Sequence, residues 1–192
     1  FDPHSRLFDP ALGGGAILDV GCYPVSYARR VAGTLAGTSF ENPARLDGHG
    51  TLCPTGVDDF AIAHMEFPCG LLAHASTSLS LPLDNALHLH GTQGWLTVQH
   101  AWRPPAAGGP AEILLRRAGR EPETITVDTP DPLWAIEADH VAQYIDARQS
   151  PAMSWDDTLG NMETLDRWRA TISPAMDGSS FERFASGDRF SQ

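Results

Sequence analysis

The chain contains no lysine: all 13 basic residues among its 192 are arginines. That absence excludes a Schiff-base lysine, a P-loop lysine and a lysine general acid from this sequence. Positive charge is short altogether, since 24 acidic residues bring the net charge to −11 with histidine neutral. Dispersed arginines on so acidic a chain make nucleic acid and anionic membranes poor partners. Cysteine is scarce and odd in number. Cys22, Cys53 and Cys69 form no C-x-x-C motif, so a disulfide scaffold is not expected and a reducing, cytoplasmic compartment is. No 18-residue apolar run is present, which excludes a conventional transmembrane helix. The chain opens Phe1-Asp2-Pro3 without a basic-then-apolar leader, so no signal peptide is read, and the sequence looks as if it starts inside a longer one. The patterns G-x-G-x-x-G, G-x-x-x-x-G-K-[ST] and G-x-S-x-G do not occur. The dinucleotide fingerprint, the phosphate loop and the hydrolase nucleophile elbow are thereby excluded from this chain.

What is present describes a globular protein, 42% hydrophobic and 19% charged, with enough residues for a real core. Residues 1–15 read as a loop ending in Gly13-Gly14-Gly15. From Ala16 to Val31 the apolar residues fall at helical spacing, with Gly33 as the stop and a kinked helix or two abutting helices expected, the kink at Tyr23-Pro24. Period-two segments punctuated by Gly and Pro follow between about 40 and 128: 44–50, 59–67, 71–79, 85–90, 95–99, 112–116 and 123–127. After Pro132 the helical period returns twice, to near Arg148 and again from Ser154, the second with Trp155, Leu159, Met162, Leu165 and Trp168 as its apolar stripe; Trp134, Trp155 and Trp168 are expected to pack the helices on the sheet. The fold class is therefore α+β: an open, predominantly antiparallel sheet with helices packed on one face and the other face uncovered. Residues 1–173 read as one domain and 174–192 as a polar tail.

Four sets of residues invite a chemical reading. Gly13-Gly14-Gly15 before a helix offers amides to an anion, although a tight, flexible start to the helix explains it more simply. Asp19 and Tyr23 stand at i,i+4 and share a side of a helix. A phenol, with an ordinary pKa of about 10, moves protons at neutral pH only where its surroundings tune it, and a cation is what would lower it. From spacing alone the plainer account of this pair is a carboxylate locking the helix start or a buried arginine, with the tyrosine as packing. His64, His74, His88 and His90 lie in strands, but without ligand spacing they suit a polar sheet face or subunit interface better than a metal. Trp102, followed by Arg103-Pro104-Pro105, sits in a loop where it could touch a ligand.

The run from Leu12 to Pro24, Leu-Gly-Gly-Gly-Ala-Ile-Leu-Asp-Val-Gly-Cys-Tyr-Pro, resembles a segment of the Gfo/Idh/MocA oxidoreductases. Weaker echoes occur at Thr55-Gly56-Val57-Asp58, Gly91-Thr92-Gln93-Gly94 and Leu159-Gly160-Asn161-Met162, so the resemblance spans roughly Phe8 to Arg169. It implies a C-terminal domain in which Asp19 is an active-site acid and Tyr23 exchanges a proton with the substrate oxygen. Gly14, Gly15 and Trp102 become candidates for the substrate pocket. The tyrosine form looks most like the glucose–fructose oxidoreductase, D-xylose dehydrogenase and dihydrodiol dehydrogenase branches. It further implies NAD or NADP as cofactor, a small-molecule sugar, polyol or related hydroxy or carbonyl substrate, no metal, and a homo-oligomer formed through the open sheet face.

The departures matter equally. Family members carry a glycine fingerprint in an N-terminal Rossmann domain and a catalytic lysine, and this chain has neither. The resemblance thus implies a domain-sized piece of about 120–150 residues upstream. The chain alone is expected to be inactive and to bind cofactor poorly. A non-catalytic ligand-binding or dimerisation module is the alternative.

Overall fold

A computed structural model describes residues 2, 4–102 and 106–172; the expected tail at 174–192 lies outside them. Two 3₁₀ turns (Arg6–Phe8 and Pro10–Leu12) and a π-type turn (Ile17–Gly21) lead into α1 (Cys22–Ala36). Seven strands follow: β1 (Arg45–Leu52), β2 (Asp58–Glu66), β3 (Leu72–Ser78), β4 (Leu87–Gly91), β5 (Gly94–Val98), β6 (Ala111–Arg117) and β7 (Glu123–Val127). Helices α2 (Leu133–Tyr144) and α3 (Trp155–Thr171) come last. The fold is the expected α+β, wholly antiparallel in its ladders, but the strands divide into a three-stranded sheet β1-β2-β3 and a four-stranded sheet β4-β5-β6-β7. They belong to two compact units: residues up to Leu83 together with those from Trp155, and Asp84–Ser154.

In the first unit the period of two decides which face is covered. Ala61, Ala63 and Met65 of β2 and Ala75 of β3 are buried, while the alternate residues His64, Glu66 and His74 are exposed. Small side chains on the inner face let the helices approach closely. Trp168 of α3 is fully buried there, and its indole N–H donates to the Ile62 carbonyl at 3.0 Å, which satisfies the polar end of a large apolar ring.

The expected junction takes the form of two abutting helical segments, two residues before Tyr23-Pro24: the π-type turn passes into α1 at Gly21–Cys22 with helical backbone on both sides, and Pro24 falls inside the first turn of α1, where its fixed φ is tolerated. Gly33 does not stop the helix either; α1 runs on to Ala36 and ends at Gly37, in the left-handed region at φ 75°.

α1 and α3 are joined by a charge out of contact with solvent. Arg29 is 0% exposed. Its Nη1 donates to Asp157 Oδ1 at 2.7 Å and to the Asp157 carbonyl at 2.9 Å, its Nε donates to Asn42 Oδ1 at 2.9 Å, and Phe40 lies 4.7 Å beneath the guanidinium. Burial pulls the Arg29 pKa down while Asp157 pushes it up. A Cβ at Gly160 would come within 2.4 Å of Arg29 Nη2, so only glycine fits under the guanidinium. This pairing corrects part of the predicted face of α3, in which Leu165 and Trp168 are buried as expected. The residues turned inward are Asp157, Gly160, Thr164, Leu165 and Trp168, whereas Trp155, Leu159 and Met162 are exposed. Trp134, in the second unit, is 71% exposed, and of the three tryptophans expected to pack, Trp168 is the buried one.

Removing Asp157 strands a buried guanidinium, so Asp157→Ala is expected to cost about 3–5 kcal/mol, against a much smaller loss when Arg29 and Asp157 are replaced together by apolar residues of similar volume. Urea unfolding midpoints of the two variants check this; a single variant as stable as the wild type would contradict it.

Candidate active site

The glycine loop is folded tightly onto the turns before it. Ser5 and Asp9 cap the two 3₁₀ turns with their side chains. The Gly14 N–H donates to the Asp9 carbonyl and the Gly15 N–H to the Leu7 carbonyl, both at 2.9 Å. Gly15 takes φ +116°, and a Cβ on it would come within 2.4 Å of Asp58 Oδ1. The loop is therefore locked rather than flexible, and these two amides are already used. Gly14 borders a cavity of roughly 230 Å³ together with Pro10, Gly56, Asp58, Arg169 and Ile172; Gly15, Asp19 and Tyr23 do not line it.

The next residues are held by the sheet. Asp58 Oδ2 accepts the Ile17 N–H at 2.7 Å, and Thr77 Oγ1 donates to the Ala16 carbonyl at 3.0 Å. The π-type turn Ile17–Gly21 carries Asp19, and Tyr23 sits in the first turn of α1. The two are thus not neighbours on one α-helix, as i,i+4 spacing had suggested, because the wider turn re-aims Asp19. The Asp19 carboxylate accepts from Arg6 Nη1 at 3.0 Å, with the Arg6 side chain 71% exposed and that of Asp19 23%. Asp19 has found an arginine, but an exposed one. Tyr23 is 54% exposed, which leaves its phenol open to a ligand. Nearby, burial raises the Cys22 thiol pKa, so this cysteine is not an activated nucleophile. All three cysteines are unpaired.

Arg6 escaped sequence reading because nothing periodic links it to a residue 13 positions later. Trp102 is half-buried between β5 and β6 in the second unit; its neighbours 103–105 lie outside the described residues. His64 stands opposite His74 in the β2–β3 register, and the rings of His88 and His90 stack 6.4 Å apart. Among the described residues no group of three or more His, Cys, Asp or Glu is arranged to hold a metal ion, and no helix is long and apolar enough to cross a membrane.

Comparison with known proteins places these features in a family context. A profile of the GFO/IDH/MocA C-terminal domain matches residues 1–97. The trans-1,2-dihydrobenzene-1,2-diol dehydrogenase of Xenopus laevis is 28% identical over 162 residues, covering 80% of this chain and 45% of that protein. The D-xylose 1-dehydrogenase (NADP(+)) 2 of Haloferax volcanii is 29% identical over 165 residues, covering 82% of this chain and 46% of that protein. The chain thus spans about half the length of these curated relatives. Among solved structures, the aldose-aldose oxidoreductase of Caulobacter crescentus superposes with a TM-score of 0.72 at 22% identity, covering 89% of this chain and 49% of that one. A 3-ketoreductase of Actinomadura kijaniata gives a TM-score of 0.71 at 19% identity, covering 89% and 50%. At that identity the structures establish the fold.

Asp58 adds a pH signature. Burial raises its carboxyl pKa above the ordinary range, against the opposing pull of the Ile17 N–H and of Arg169. The folded chain then holds this proton more tightly than the unfolded one, so the residue's contribution to stability is greatest at low pH and falls as pH rises through the raised value. As pH rises from about 4 through the raised value, wild type is expected to lose stability relative to Asp58→Asn. Urea midpoints of both proteins across that range measure the difference, and a pH-independent gap would contradict the assignment.

Proposed function

The chain belongs to the GFO/IDH/MocA family, whose C-terminal domain it forms, and on that premise we propose that it is the substrate-side half of a nicotinamide-dependent oxidoreductase. Its substrate is a sugar, polyol or related hydroxy or carbonyl compound. One observation carries the reading: Tyr23 stands exposed on the first turn of a helix whose opposite side is buried and pinned by Arg29. Supporting it are the named activities of the relatives, a diol dehydrogenase and a xylose dehydrogenase.

The residues present do not fit the dinucleotide itself. Of the three loop glycines, Gly14 and Gly15 have already committed their amides to the Asp9 and Leu7 carbonyls, so no phosphate cradle exists there. NAD or NADP would be held outside this chain and would supply the hydride chemistry when bound. The chain's own part is proton handling. The Tyr23 hydroxyl gives a proton to, or takes one from, the substrate oxygen. Asp19, with its charge balanced by Arg6, orders the polar surface beside it. The exposed face of β1–β3 supports a second copy of the chain as partner, with Leu72 74% exposed at its edge and polar His64 and His74 alongside. The unpaired cysteines support a cytoplasmic location.

The test is turnover in the full-length protein, screened with NAD and NADP against aldoses, polyols and vicinal diols. Tyr23→Phe is expected to lower kcat by more than about 100-fold while cofactor affinity stays near normal. Unchanged turnover would remove Tyr23 from the mechanism, and the absence of any cofactor-dependent turnover would favour a binding or dimerisation module instead.

A further inference from the structure

We infer that Asp58 and Thr77 are positioning residues for the proposed proton transfer: together they grip the Ala16–Ile17 peptide group and so fix where Asp19 and Tyr23 stand. The inference rests on the reading that Tyr23 moves the proton.

The geometry is specific. The Ala16 carbonyl and the Ile17 N–H are the two ends of one peptide unit. Thr77 Oγ1 donates to the first at 3.0 Å and Asp58 Oδ2 accepts from the second at 2.7 Å. A planar group held at both ends by side chains of two strands cannot tilt. Those strands are themselves paired, with Thr77 opposite Ala61 in the β2–β3 register. Asp58 and Thr77 are 6% and 3% exposed, and Ala16 and Ile17 are 0% exposed, so both bonds are shielded from bulk solvent and losing one leaves a buried polar group unpaired.

Position along the chain gives the grip its effect. Ile17 opens the π-type turn, Asp19 lies within it and Tyr23 follows in the first turn of α1. Beyond Tyr23 the helix is fixed again by Arg29 on Asp157. The reactive side chains therefore ride on a segment anchored on both sides. Gly15 belongs to the same device: its missing side chain makes room for the Asp58 carboxylate, which a Cβ would meet at 2.4 Å. The Thr55-Gly56-Val57-Asp58 run, which the proton chemistry leaves unexplained, thus ends in the residue that holds the proton-transfer segment in place.

The experiment uses the full-length protein labelled with 3-fluorotyrosine, the Tyr23 resonance being assigned through Tyr23→Phe. Asp58→Ala removes the acceptor and Thr77→Val removes the donor at constant shape, whereas Asp58→Asn keeps an oxygen for the Ile17 N–H. Asp58→Ala and Thr77→Val are expected to lower kcat about 10- to 100-fold with KM and cofactor Kd within about threefold, and to shift the Tyr23 fluorine signal. Asp58→Asn is expected to restore both. Should Asp58→Ala not fold, Thr77→Val and Asp58→Asn carry the same comparison. Folded variants with an unmoved Tyr23 signal overturn the inference, whatever happens to kcat. A signal that moves while Tyr23→Phe retains full turnover upholds the grip on the segment and overturns the functional reading of Tyr23.

Discussion

A guanidinium with no access to solvent sets most of the geometry of the first unit. An unpaired charge inside a protein is prohibitively unfavourable, and four groups answer Arg29: the Asp157 carboxylate and carbonyl, the Asn42 amide oxygen and the Phe40 ring, leaving only Nη2 without a hydrogen bond. Each of these constrains something further. Presenting Asp157 to α1 fixes the rotation of α3 about its axis, and the same rotation brings Gly160 under the guanidinium, where no side chain fits. Once that rotation is set, Leu165 and Trp168 can only face the sheet. The Trp168 ring in turn lies against Gly48 and Gly21, where a Cβ would meet it at 2.8 and 3.1 Å, and its N–H donates to the Ile62 carbonyl. The packing of two helices on three strands follows from one buried cation.

The candidate site inherits its rigidity from this arrangement. A site works when its side chains sit on an element whose own position is over-determined by buried contacts. α1 meets that condition at Arg29, and the turn before it meets it at the Ala16–Ile17 peptide. Between these anchors the chain turns a phenol and a carboxylate outward. The ion pair of Asp19 with Arg6 is partly exposed and so adds little to stability. What it does is balance the charge of Asp19 itself.

Much of the fold was legible because strand periodicity is a local signal. The expected strand at 123–127 and the observed β7 coincide, and the Gly91–Gly94 turn joins β4 to β5 as its residues suggested. Helix boundaries and faces were less legible. Pro24 and Gly33 carry the chemistry of helix breakers but occupy positions where that chemistry has no consequence or serves another purpose. In α3 the stripe Trp155–Leu159–Met162 outweighs Asp157, Gly160 and Thr164 by hydrophobicity, yet the latter set is buried because Arg29 needs it. The Asp19–Tyr23 pair was visible through its motif. Arg6, Asp58 and Thr77 were not, because each acts on a residue 13 or more positions away, and no window of sequence contains both ends of such a contact.

The same facts divide the proposed chemistry in two. A triple glycine before a helix suggests an anion site until its amides are followed to their acceptors, which lie in the turns immediately before it. With those amides committed and no lysine anywhere in the chain, the proposed division gives this half the proton transfer at Tyr23 and leaves the dinucleotide to be held elsewhere. Tyr23 faces outward from a rigid helix, and a phenol open to bulk water exchanges protons with solvent instead of directing one to a substrate. Only a surface that closes over it, excluding water and presenting the hydride donor, would make the proton and hydride arrive at the same bond. The exposure of Tyr23, which as packing would be a defect, is on this reading the feature that makes a second surface necessary.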